Sequence, residues 1–144
     1  MDVIGSRPQV FITHSSRDAW VAKQIAFHIQ QCGALSFLDQ FDLRYGDDFE
    51  EEILKAIDLS SEQLVLLTPW SKARPYIYVE IGAFWHRGKT PVVVLHGLTK
   101  QEIIGDEGIP VLLKRIQLLE LNEIELYFEQ LREKVLAWER QNHD

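Results

Sequence analysis

The sequence predicts a doubly wound α/β fold: a five-stranded parallel sheet in the order 2-1-3-4-5 with helices on both faces. Short apolar runs rich in β-formers alternate with longer segments whose apolar residues recur at helical spacing, the pattern of strand–helix–strand units. Length and composition agree with it. The chain has 144 residues, of which 46% are hydrophobic and 26% charged. These are ordinary globular values for one domain over residues 1–144 that can bury its own core.

The first strand is expected over residues 10–13 (VFIT) and ends at the polar cluster His14-Ser15-Ser16-Arg17-Asp18. A helix follows over 18–31, with Val21, Ile25, Ile29 and also Trp20 and Phe27 at helical spacing, and Gly33 as its C-cap. Trp20 and Trp85, both on predicted helices, are expected in the core. Residues 35–38 read as the second strand. Residues 47–57 read as a helix whose acidic first turn suits the helix dipole. The third strand spans 63–68 (QLVLLT), and residues 75–86 form a helix with Pro75 in its first turn.

The fourth strand is expected over 90–95 (TPVVVL). A loop containing Gly105, Gly108 and Pro110 leads to a weaker fifth strand over 116–121. The last helix runs over 122–140, with Ile124, Phe128, Leu131, Val135 and Trp138 on one stripe. That stripe has heptad-like spacing, but its length suits packing against the sheet better than a coiled coil. In this topology ligands bind at the switch point between strands 1 and 3, outside the carboxyl ends of the strands. The crevice is therefore expected between residues 14–18 and 69–76, with the loop 39–49 nearby.

Charge and residue inventory exclude several functions. There are 15 Lys and Arg against 22 Asp and Glu, a formal charge of −7. Nucleic acids and anionic membranes reward a positive face, so neither is an expected partner. One cysteine, Cys32, allows no internal disulfide and points to a reducing compartment. The opening MDVIGSRPQ lacks the pattern of a secretory leader, and no apolar run approaches a membrane span, so a soluble cytoplasmic domain is expected. No Gly-x-Gly, Walker lysine, HExxH or G-x-S-x-G motif occurs, and no metal site is expected. A phospho-receiver would need an acidic pair after the first strand and an acceptor Asp after the third. Those positions read Thr13-His14-Ser15 and Thr68-Pro69-Trp70.

What remains is Glu80. It is the only charged residue between Pro75 and Trp85, and it shares a helix face with Tyr76 and Phe84. It is either a solvent-facing residue on a buried helix or a paired or functional carboxylate beside the crevice. Residues 42–58 hold seven acids and two bases. They form either a solvated acidic helix or a docking surface.

VFITHSSRD, then FLDQFDLRYGDDFEEEILKAIDLSSEQLVLLTPWS, then Tyr-x-x-x-Glu in the next helix together resemble a Toll/interleukin receptor (TIR) domain of bacterial type. The resemblance covers residues 8–120, and the order and spacing of the motifs carry it. It implies a flavodoxin-like fold and cleavage of the nicotinamide–ribose bond of NAD to nicotinamide and ADP-ribose or a cyclic ADP-ribose. NAD is then substrate, with no cofactor, and a role in bacterial defence signalling follows.

By the same resemblance Glu80 is the catalytic carboxylate. Substrate binding falls to His14, Ser15, Ser16, Asp39, Leu43, Gly46 and Tyr76, with Trp70 at the end of the third strand counted beside them. Tyr76 stands where Trp is commoner, His14 where Tyr is frequent, and Ser15-Ser16 lack a basic residue, although Arg17 follows. The loop 39–49 is implied in homo-oligomer contacts on which activity depends, with a sensor domain or partner protein as trigger. The rival readings are a non-catalytic TIR module that assembles homotypically and a nucleotide sensor that does not cleave its ligand.

Overall fold

The computed structural model describes residues 6–38 and 49–142. Strand β1 (Gln9–Thr13) alternates its side chains between two cores, with Val10 and Ile12 on one face and Phe11 on the other. Strand β3 (Glu62–Leu67) repeats the device with Leu64 and Leu66 against Val65 and Leu67, and its six residues are all buried. Period-two alternation with both faces apolar is what a central parallel strand requires. Strands β2 (Leu35–Leu38), β4 (Val92–Leu95) and β5 (Leu118–Glu120) complete a parallel sheet in the order β2-β1-β3-β4-β5. Its register includes Phe11 with Phe37, Ile12 with Leu64, and Val65 with Val93.

One face is covered by helices α1 (Ala19–Gln31) and α6 (Ile124–Gln141), which enclose Ile25, Ile29, Phe128, Leu131 and Val135. The other carries α2 (Phe49–Leu59) and α3 (Pro75–His86), with Phe84 edge-on to Phe11. Two short helices, α4 (Lys100–Gly105) and α5 (Val111–Lys114), cover the β4 end of that face through Ile103, Ile109 and Leu113. Among the described residues no helix is long and apolar enough to cross a membrane.

The turn from α1 into β2 explains why Gly33 stands there. Gly33 has φ +93°, its N–H donates to the Gln30 carbonyl, and the Ala34 N–H reaches back to Ile29. This is a Schellman closure, and the left-handed residue that it needs is most readily glycine.

Several expectations are corrected. The stretch after β4 is not a simple loop, because α4 and α5 occupy it. The fourth strand begins at Val92 rather than residue 90, and the fifth is confined to three residues. The second helix extends to Leu59, two residues past its expected end, while residues 47 and 48 lie outside the described residues. Trp20 and Trp85 are not core residues, being 71% and 39% exposed. Helix α1 buries Ala22, Ile25, Ala26 and Ile29, and Trp20 and Phe27 fall on the opposite side of that stripe. Trp85 lies on the flank of the stripe that α3 buries.

Candidate functional site

The crevice is built where the chain leaves β1 and β3. Residues Ser16–Asp18 form a 3-10 turn between β1 and α1, and Ser71–Ala73 form another between β3 and α3. The two loops come together through a polar cluster. Asp18 is 3% exposed, and its Oδ2 accepts the Ser15 hydroxyl at 2.7 Å and the Thr68 hydroxyl at 2.6 Å. Thr68 Oγ1 in turn accepts the N–H groups of Trp70 and Ser71. The Ser71 hydroxyl accepts the Thr68 N–H and donates to the Leu66 carbonyl. Buried hydroxyls are thus matched to buried backbone groups, as the cost of unmet polar atoms demands.

Helix α3 starts at Pro75, whose fixed φ suits a first turn. Tyr76, half-buried in that turn, donates its hydroxyl to the His14 carbonyl at 3.1 Å. One turn on lies Glu80. The buried stripe of α3 is Ile77, Glu80, Ile81 and Phe84, so a carboxylate occupies a position that helical periodicity assigns to the core. Glu80 is 5% exposed, which decides against the solvent-facing alternative. It sits five residues, roughly 7.5 Å along the helix axis, from Pro75.

The remaining site residues divide three ways. His14 and Ser15 are buried in the first loop, with Ser15 turned onto Asp18 rather than into an imidazole–serine pair. The His14 ring places Nδ1 3.4 Å from the Ile12 carbonyl. Ser16 and Trp70 are exposed on the two sides of the crevice. Asp39, Leu43 and Gly46 lie outside the described residues, as does most of the loop 39–49.

On its β4 side the second loop is held again. Lys72 pairs with Asp106 at 3.1 Å, and the Tyr78 hydroxyl donates to the Lys72 carbonyl at 2.7 Å. The Gly108 N–H and then Lys72 hold the Asp106 carboxyl below its ordinary range. These residues, with Ala73 and Pro110, line a cleft of about 560 Å³ that is separate from Glu80.

Sequence reasoning missed Thr68, Ser71 and Asp106, and met Asp18 only as the last residue of the polar cluster after the first strand. Ser15-x-x-Asp18 and Thr68-x-x-Ser71 are hydroxyl-bearing patterns at strand-to-helix junctions. That spacing is the available signal that polar side chains organise both turns.

The chain is thus a doubly wound α/β domain with a carboxylate on the buried stripe of the helix after its third strand. The TIR-domain family pattern matches residues 10–136, and the chain belongs to that family. No curated protein sequence matches the chain at a significant level.

Among solved structures, the TIR domain of a Toll-related receptor from Hydra magnipapillata superposes with a TM-score of 0.66 at 18% identity. The match covers 88% of this chain and 96% of that one. The TIR domains of the activated Roq1 resistosome, which recognises the pathogen effector XopQ, give 0.58 at 18% identity over 92% and 80% of the two chains. A 2-desoxiribosyltransferase from Leishmania mexicana gives 0.66 at 11% identity over 88% and 97%. At these identities the likenesses speak for the fold.

Proposed function

We propose that this domain cleaves the bond between nicotinamide and ribose in NAD, releasing nicotinamide and ADP-ribose or a cyclic ADP-ribose. The observation that carries the reading is Glu80, a carboxylate on the buried stripe of α3 one turn from Tyr76. Burying a carboxylate at a core position costs free energy, and such a residue is retained where its charge is used. The transferase neighbour supports the chemistry, because its name describes pentosyl transfer on the same fold.

The reaction asks little of the protein. Two carboxylates are usual in glycosidases because an oxygen leaving group must be protonated. The nicotinamide of NAD is already cationic. When its bond to the anomeric carbon breaks, the electron pair stays on the ring nitrogen and nicotinamide leaves neutral. Glu80 stabilises the positive charge growing on the ribosyl carbon and holds the ribose hydroxyls. Tyr76 walls the ribose. Water completes hydrolysis by adding to that carbon and losing a proton, whereas attack by an adenine nitrogen closes the cyclic product.

In this reading residues 1–144 act as a single cytoplasmic domain in defence signalling, self-associating through the loop 39–49. The Roq1 neighbour, seen within a resistosome that recognises a pathogen effector, supports that setting. A non-catalytic docking module is the second reading, favoured by Trp20 and Phe27 standing exposed on α1.

Concentrated protein incubated with NAD and analysed by chromatography tests both. Nicotinamide release is expected, rising more steeply than linearly with protein concentration, and Glu80→Gln should lower it about 10²–10³-fold. A folded Glu80→Gln protein that releases nicotinamide at the parent rate would overturn the assignment.

A further inference from the structure

Asp18 occupies the N-cap of α1, yet its carboxylate makes no capping bond to the helix. An N-cap aspartate ordinarily accepts N–H groups of the first turn. Here Oδ2 is instead directed sideways, to Ser15 on its own loop and to Thr68 on the loop after β3. We propose that Asp18 is a positioning residue for the crevice, holding the β3–α3 loop in the shape that presents Tyr76 and Glu80. The inference rests on the NAD-cleaving reading only for its kinetic consequence.

The direction of one proton carries the argument. A threonine hydroxyl has one proton to give and two lone pairs to receive with. The Ser71 hydroxyl lies 3.4 Å from Thr68 Oγ1 and the Asp18 carboxylate 2.6 Å, so the short, charge-assisted partner takes the proton. Both lone pairs then face the N–H groups of Trp70 and Ser71, at 3.2 and 3.1 Å. An acceptor-only group at position 18 thereby dictates the turn that leads into α3.

The circuit closes on itself. Ser15 follows His14, whose carbonyl accepts the Tyr76 hydroxyl at the start of α3. Asp18, Thr68, the second loop, Tyr76, His14 and Ser15 form one ring around the mouth of the site. At 3% exposure Asp18 touches no substrate, so its effect passes through the residues it holds.

The test compares the parent with Asp18→Asn and Asp18→Ala in the full chain. Asparagine keeps a neutral oxygen able to accept both hydroxyls, whereas alanine removes the acceptor. Amide hydrogen exchange at Trp70 and Ser71, referenced to Leu64–Leu66 in β3, reads the loop without any dependence on catalysis. Protection at Trp70 and Ser71 should fall at least about tenfold in the alanine variant and by less in the asparagine variant. With NAD, kcat should fall roughly 10–100-fold for alanine with KM little changed, and asparagine should recover most of it.

Unchanged relative protection at Trp70 and Ser71 in Asp18→Ala overturns the proposal, whatever the activity. Equal loss at every amide also overturns it, because Asp18 would then serve only global stability. A parent that leaves NAD intact refutes the proposed reaction, and the exchange result still decides the role of Asp18. Should the alanine variant not fold, Asp18→Ser, whose shorter side chain can cap α1 but falls short of Thr68, must give the same local loss while Thr68 Oγ1 stays in place.

Discussion

Replacing Tyr76 with phenylalanine separates the two duties assigned to that residue. The ring that walls the ribose is kept, and the donor to the His14 carbonyl is lost. That bond is neutral, partly buried and 3.1 Å long, so its net worth is about 0.5–1.5 kcal/mol. At 1.36 kcal/mol per tenfold, the full loss corresponds to roughly a 2–13-fold fall in kcat/KM. This is an upper bound, because only the part of the tether felt at the reacting centre reaches the rate. Urea unfolding reads the same bond in stability, with a decrease within about 0.5–1.5 kcal/mol. Nicotinamide release below and above saturation reads it in catalysis. Tyr76→Ala, which removes the ring as well, should lose more than phenylalanine in both assays. A thousandfold loss in Tyr76→Phe would refute the tether, since the hydroxyl would then act on the substrate itself. No change in either stability or rate would refute the bond.

Other consequences follow from the fold. Gly33→Ala meets both a left-handed backbone and a Cβ position 2.9 Å from Val135 Cγ1, so it should lower stability by about 1–3 kcal/mol in urea unfolding. The Asp106 carboxyl is depressed by the Gly108 N–H and then by Lys72, so its contribution is fully present above its ordinary value of 3.8. It disappears as the pH falls through the lower folded value, and Asp106→Asn should remove that part of the acid sensitivity measured by urea midpoints. Trp20→Ser should change stability by no more than about 0.5 kcal/mol, because the indole is exposed. Phe84→Ala, at a fully buried ring, should cost about 3–5 kcal/mol.

The elements legible in the sequence are those whose limits are written locally. Gly33 and Pro75 punctuate the chain, and the strand 35–38 and the helix 75–86 have the expected bounds. Helices α4 and α5 were missed because six- and four-residue helices offer too few turns for periodicity. A local cue was present, since Thr99-x-x-Glu102 has the capping-box pattern and Thr99 does accept the Glu102 N–H. Trp20 was misjudged for another reason. Hydrophobicity argued for burial, but the phase of the helix set by Ala22, Ile25 and Ile29 turns that side outward. For the site, Tyr76 and Glu80 were legible because one helical turn separates them. The link from Asp18 to Thr68 was not, because it joins residues 50 apart that only strand pairing brings together.

Among the described residues, the two buried carboxylates of the segments after β1 and β3, Asp18 and Glu80, have different consequences for the proposed chemistry. A pair of acids beside a sugar would ordinarily suggest a glycosidase in which one protonates the leaving group and the other attacks or activates water. Asp18 is unsuited to either duty. Its Oδ2 is already engaged by two hydroxyls, at 2.6 and 2.7 Å. A carboxylate committed to those two hydroxyls, on a residue only 3% exposed, reaches neither a leaving oxygen nor an anomeric carbon. Among the described residues that leaves Glu80 as the candidate carboxylate for the proposed reaction, which then suits a substrate whose leaving group departs unaided. A cationic pyridinium meets that condition and an ordinary glycoside does not. Under the proposed reaction, a single available carboxylate thus suits a nicotinamide nucleotide better than a simple sugar as substrate.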